Sequence, residues 1–214
     1  MRSVKRTEEP DSLKNNKKNW TAELLKQIAL KGNITSVEDK YKNQYKQDDV
    51  KLELRKMYDQ LCCYCEGNIV LTGYEEIEHY KPKSKYPELC FQWKNLHQIC
   101  QKCNKKKNAK WSESAPILCP TVDEIQEHLY FKNILMLCRE DDERAINTIG
   151  HLRLNEREEI LNLRTRLLKK ALEYRNKSVN DRAIFKELIF LQKDYPTYKN
   201  YLILIVDGLV THEE

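Results

Sequence analysis

The chain has 214 residues, 40% of them hydrophobic and 33% charged, with a formal net charge of +5. That length admits one large domain or a small catalytic core with helical additions. No apolar run approaches the ~18 residues needed to span a bilayer, and the lysine-rich start holds no apolar signal core, so the expected location is the cytoplasm.

Residues 1–18 read as an extended or disordered arm with a turn at Pro10-Asp11. A helix is expected over residues 21–30, with Thr21 as N-cap and Gly32 as its stop. A second is expected over residues 48–61, capped by Asp48 or Asp49, with Leu52, Leu54, Met57, Tyr58 and Leu61 as apolar positions. The texture then changes. Ile69-Val70-Leu71 is β-prone, Thr72-Gly73 signals a turn, and residues 75–80 alternate weakly, which predicts a β-hairpin. A long loop holding Pro82 and Pro87 follows, and then a helix over residues 103–110. Further on, Asn155 and Glu158 form a capping-box pattern. Ile160, Leu163, Leu167, Leu168, Ala171 and Leu172 make one helical stripe behind it. Two more helices are expected, one after Asn180 carrying Ile184, Phe185, Leu188, Ile189 and Leu191, and one over residues 197–206. The fold class read from this order is mainly α with a small α+β core. Its parts are an N-terminal arm with helices (1–57), a ββα core with a metal staple (58–112) and a C-terminal helical region (113–214).

Eight cysteines are present. In a reducing compartment clustered cysteines more often hold a metal than form disulfides. Cys62-x-x-Cys65 and Cys100-x-x-Cys103 are two knuckles that together supply four thiolates to one tetrahedral ion. Zinc is the first choice and rubredoxin-like iron the alternative. Cys63 competes with Cys62, and the matching spacing favours Cys62. Gly67 suits the turn after the first pair. Cys90, Cys119 and Cys138 read as buried thiols.

Charge is uneven along the chain. From His79 to Trp111 nine lysines face one acid, Glu88, so this segment carries +8 and the remainder sums to −3. A basic run is often only a solvated face. Its overlap with the cysteine pairs favours a surface facing phosphates.

Between the knuckles lies Glu76-Ile77-Glu78-His79-Tyr80-Lys81-Pro82, then Asn95-Leu96, then Cys100-Gln101-Lys102-Cys103-Asn104-Lys105-Lys106-Lys107. This order resembles HNH endonucleases of the zinc-stapled, McrA-like ββα-metal branch. The flanks, including Tyr64-Cys65-Glu66 and Thr148-Ile149-Gly150-His151-Leu152-Arg153-Leu154-Asn155, resemble the PtuB family. That family is the HNH component of Septu-type and retron-associated anti-phage defence systems. The resemblance implies His79 as general base and Asn95 as the residue that orients it. It implies Glu78 and Asn104 as ligands of a catalytic Mg²⁺ or Mn²⁺, beside a structural Zn²⁺ on Cys62, Cys65, Cys100 and Cys103. Lys107, Lys81 and Lys83 are the expected phosphate contacts. The implied substrate is DNA, with structured RNA such as tRNA as the alternative. The implied partners are a PtuA-like ATPase and a retron reverse transcriptase with its DNA–RNA product. Two residues depart from the commoner pattern: Glu78 for Asp moves the carboxylate one methylene further along the side chain, and Asn104 for His favours hard, oxygen-preferring ions. The competing reading is a zinc-finger binding or adaptor module that does not cut. His97, His128, His151 and His212, like Trp93 and Trp111, read as structural or solvated.

Overall fold

The computed structural model describes residues 1–69 and 74–175. The helices expected after Asn180 and over residues 197–206 lie outside the described residues, as do His212 and the Val70–Gly73 part of the expected hairpin.

Residues 1–10 are extended and packed against the core. The Val4 N–H donates to the Pro120 carbonyl at 2.7 Å. Arg6 donates to the carbonyls of Leu96 and Trp93 at 2.7 and 3.0 Å, and its guanidinium lies 5.2 Å from the Trp93 ring centroid. Helix α1 spans Asp11–Lys31 and ends at Gly32, whose φ of 82° is the expected stop. It begins ten residues before Thr21, because Pro10 occupies its cap position and Asp11 its first turn. Thr21 is mid-helix and donates its hydroxyl to the Lys17 carbonyl at 2.7 Å. Leu13 and Leu24 are buried, and Trp20 and Ile28 pack beside them. This is a sparse stripe that the intervening lysines and asparagines conceal.

After a short α2 (Asp39–Lys42), α3 spans Asp48–Tyr58. Gln47, not Asp48 or Asp49, is its cap residue. Val50, Leu54, Met57 and Tyr58 face inward, whereas Leu52 is exposed. Strand β1 spans Glu75–His79. Its partner is β2 (Leu96–Cys100), antiparallel, with His79 opposite Leu96 and Glu75 opposite Cys100. The loop of residues 80–95 is therefore the connection between paired strands. Helix α4 (Gln101–Lys107) follows β2 directly and starts two residues earlier than expected, because Cys100 is its N-cap.

Downstream come α5 (Ile125–His128), an antiparallel pair of β3 (Leu129–Lys132) and β4 (Leu135–Cys138), α6 (Glu143–Leu152) and α7 (Glu158–Arg175). The β3–β4 pair departs from the helical region expected over residues 113–214. Asn155 does not cap α7; its side chain brackets Met136, accepting from the N–H at 2.9 Å and donating to the carbonyl at 2.6 Å. Ile160 and Leu167 of the expected stripe are buried and Leu163 half-buried, while Leu172 is exposed. Among the described residues no helix is long and apolar enough to cross a membrane.

Candidate metal centre and active-site cleft

Asp59 and Gln60 turn the chain out of α3 with φ of 52° and 60°, and an isolated bridge joins Leu61 to Asn68. Within that turn the Cys62 N–H donates to the Gly67 carbonyl at 3.0 Å, and the Glu66 N–H to the Cys62 carbonyl at 2.9 Å. The positive φ expected of Gly67 falls on Glu66 instead, at 57°. The Gly67 N–H points at the Cys65 sulfur, 3.4 Å away. The second knuckle is the start of α4, where the Cys103 N–H donates to the Cys100 sulfur at 3.5 Å.

The sulfurs of Cys62, Cys65, Cys100 and Cys103 are buried and lie within 4.8 Å of one another. Cys65 and Cys100 are 3.8 Å apart, which is the separation of about 3.8 Å that two thiolates ~2.3 Å from a tetrahedral zinc would have. An all-sulfur donor set on two knuckles whose backbone N–H groups aim at sulfur fits zinc. Cys63 is buried outside the set, and its N–H bonds the Gln98 carbonyl of β2 at 2.9 Å.

β1 presents its other chemistry to a cleft of about 590 Å³, whose lining includes Tyr45, Glu76, Glu78, His79, Lys83 and Asn104. Residues two apart on a strand share a face, which puts Glu76 beside Glu78. Glu78 is buried and ion-paired with Lys107, itself fully buried. Burial pushes the Glu78 carboxyl up to about 7, although Lys107 opposes the shift. Lys107 also donates to the His79 carbonyl at 3.0 Å. It was expected on a substrate phosphate; it serves Glu78 and the β1 backbone instead.

His79 Nε2 lies 2.9 Å from the Cys90 carbonyl. A carbonyl only accepts, so the imidazole proton is on Nε2 and the lone pair is on Nδ1. The edge of Tyr45 packs on the imidazole, with ring centroids 4.6 Å apart. Burial, reinforced by Lys83, pushes His79 down to about 3. It is therefore a neutral imidazole at any pH near neutrality.

Asn104 sits in the second turn of α4 and donates Nδ2 to Glu76 Oε2 at 2.5 Å. The Asn95 side chain makes its hydrogen bonds to the loop and not to the imidazole. Its Oδ1 accepts from the Lys81 N–H at 2.8 Å, and its Nδ2 donates to the carbonyls of Lys81 and Leu89 at 3.1 and 3.2 Å. It thus closes the base of the loop that carries Cys90. Lys83 donates to Asn43 Oδ1 and to the Tyr45 hydroxyl, both at 3.3 Å. Lys81 lies over the rings of Tyr86 and Trp111, at 5.0 and 5.5 Å.

Glu76, Tyr45 and Cys90 were not singled out from the sequence. Glu76 was legible as the strand neighbour of Glu78. Tyr45 and Cys90 come from distant segments that carry no motif. His97 is structural: Arg6 donates to its Nε2 at 3.2 Å, which leaves the Nδ1 proton for the Tyr58 hydroxyl at 2.6 Å. His128 pairs with Asp142 at 2.6 Å. Trp93 is in the core, and Trp111 packs against Tyr80.

No protein-family model matches the chain. It is similar to Septu protein PtuB. The Bacillus thuringiensis PtuB is 34% identical over 125 residues, which cover 58% of this chain and 48% of that protein. The PtuB of Bacillus mycoides (strain KBAB4) is 33% identical over 145 residues, covering 53% and 49%. The chain therefore spans about half the length of the curated relatives it matches.

Proposed function

We propose that the chain is a metal-dependent, HNH-type endonuclease that serves Septu-type anti-phage defence. The observation that carries this reading is one cleft holding a histidine with a free Nδ1 lone pair, two carboxylates and a carboxamide. The similarity to PtuB supports the defence role.

In this reading His79 Nδ1 takes the proton of the attacking water. The Cys90 carbonyl fixes the tautomer, and Asn95 acts on the ring indirectly by holding the loop. Entry of an anionic phosphodiester offsets the field of Lys83 and raises His79 toward a working range. Glu78 and Asn104, with Glu76 beside them, are an oxygen donor set suited to Mg²⁺ or Mn²⁺. When bound, such an ion neutralises charge on the phosphate and the leaving oxygen. Lys83 and Lys105 on the cleft wall meet the phosphates. Following the resemblance, the substrate is DNA or a structured RNA such as tRNA. The partners are a PtuA-like ATPase and a retron reverse transcriptase with its DNA–RNA product.

The closed Glu78–Lys107 pair and the burial of His79 favour a second reading, a binding or adaptor module that does not cut. The test is incubation of the chain, alone and with its co-expressed ATPase, with phage DNA and total RNA in Mg²⁺. Cleavage should fall by about 10²–10⁴-fold in His79→Ala, with zinc content unchanged. Equal cleavage by parent and variant would exclude His79 as the base, and no cleavage by the co-expressed complex would leave the binding module.

A further inference from the structure

The second knuckle has a neighbour that the cleft does not use. Arg157 immediately precedes α7, and its carbonyl accepts the N–H groups of Ile160 and Leu161, both at 3.1 Å. Its side chain is buried, and the guanidinium lies close to Cys103, Cys65 and Cys100. Nε and Nη1 are buried and have no hydrogen-bond partner. The nearby carboxylate, Glu159, is 3.9 Å from Nε, half exposed, and closer to Lys102 at 3.1 Å. It offsets the guanidinium only in part.

A guanidinium stays charged in a protein. Burying it beside neutral thiols would leave the charge uncompensated, which is strongly unfavourable. Four thiolates around a divalent ion carry net negative charge and offer sulfur lone pairs to the unbonded N–H groups. The same residue then explains both features, the orphaned nitrogens and the crowded sulfurs.

We propose that Arg157 is the counter-charge of the four-cysteine centre, donating hydrogen bonds to its thiolates so that metal occupancy fixes the start of α7 against the site. The C-terminal helical region is thereby coupled to the metal through one side chain. Loss or oxidation of the centre would free α7 at its first turn. The inference rests on a metal occupying the four thiols and is independent of the nuclease reading.

Elemental analysis of the full-length parent comes first; a parent that purifies with neither zinc nor iron overturns the metal reading and this inference together, while cleavage is assayed separately. Zinc release to a chromogenic chelator is then followed in the parent, Arg157→Gln, Arg157→Lys and Ile160→Ala. Ile160 is buried in the same helix start, so its variant loosens packing without changing charge. Arg157→Gln should release zinc about 10–100-fold faster, the usual cost of losing an outer-shell partner, and Arg157→Lys should be intermediate. In cobalt-substituted protein, the thiolate-to-metal charge-transfer band should move to lower energy in Arg157→Gln and stay in place in Ile160→Ala, because a positive neighbour stabilises the thiolate electrons. Parental release with an unmoved band in Arg157→Gln overturns the proposal. So does an Ile160→Ala variant that matches Arg157→Gln in both measurements, which would reduce Arg157 to packing.

Discussion

At the scale of single residues, the ion pair of Glu78 with Lys107 decides how the cleft behaves. Both side chains are almost entirely out of water, so each depends on the other for its charge. Removing one partner of such a pair costs about 3–5 kcal/mol, because the remaining charge stays buried. Lys107→Met should therefore lose roughly that much in chemical denaturation above pH 7. The sign of the pH effect follows from Glu78, whose carboxyl is raised from 4.5 to about 7 in the folded chain. A raised carboxyl contributes stability below its unfolded value, and that contribution is lost as pH climbs through the folded value. Without Lys107 the folded value rises further. The variant's deficit should shrink as pH falls toward about 7, where Glu78 takes a proton in the parent as well. A deficit that stays flat with pH, or stays under ~1 kcal/mol throughout, would show that water reaches Glu78 and that the pair is not closed in solution.

At the scale of elements, α1 and α3 are joined by Asp49. Its carboxylate accepts the Ser12 N–H at 2.9 Å, the Ser12 hydroxyl at 2.7 Å and the Val50 N–H at 2.9 Å. Burial alone would raise its pKa, but these hydrogen bonds outweigh it and hold the group below 3.8. A depressed carboxylate contributes stability above its unfolded pKa and loses it as pH falls through the folded one. Asp49→Ala should cost about 0.5–2 kcal/mol at neutral pH, as other lost caps do. The gap in melting temperature between parent and variant should close below pH 3.8. A gap that persists in acid would mean that the contact acts through packing and not through charge. The two helices also differ in legibility. The cap signal at Thr21 was real in residue type but weaker than Pro10-Asp11, and the polar run between them hid the Leu13–Leu24 stripe. The β1–β2 pairing was less legible still. Its two strands lie on either side of a long loop, and no local pattern encodes a contact at that separation. The four cysteines were legible because ligand spacing is itself local. The burial of Lys107 was not, since a count of charges treats every lysine as solvated.

At the scale of the whole molecule, the four-cysteine centre sits where three elements meet. Cys62 and Cys65 end the turn out of α3, Cys100 ends β2, and Cys103 lies in α4. The first knuckle is also sewn to β2 through Cys63, and through Gln98 Nε2, which donates to the Leu61 carbonyl at 3.1 Å. β2 is in turn the partner of β1, which carries Glu76, Glu78 and His79. Metal loss should therefore not remain local. Structural zinc contributes an apparent ~10–16 kcal/mol in small zinc domains, against a net stability of ~5–15 kcal/mol for a typical domain. Stripping the ion with a strong chelator should abolish the cooperative melt, and Cys100→Ala should give insoluble or partly unfolded chain. Removing a donor from the open cleft is a different kind of change. Asn104→Ala takes one carboxamide from a partly buried position and frees Glu76, so it should keep the melt while weakening any dependence of cleavage on Mg²⁺. The comparison is made by melting the parent, the chelated parent and Asn104→Ala side by side, with zinc measured in each. A chelated chain that has lost its zinc but melts at the parental temperature would show that hydrogen bonds and packing alone join α3, β2 and α4. In that case the thiols would be a binding site placed on a finished fold, and not the element that completes it.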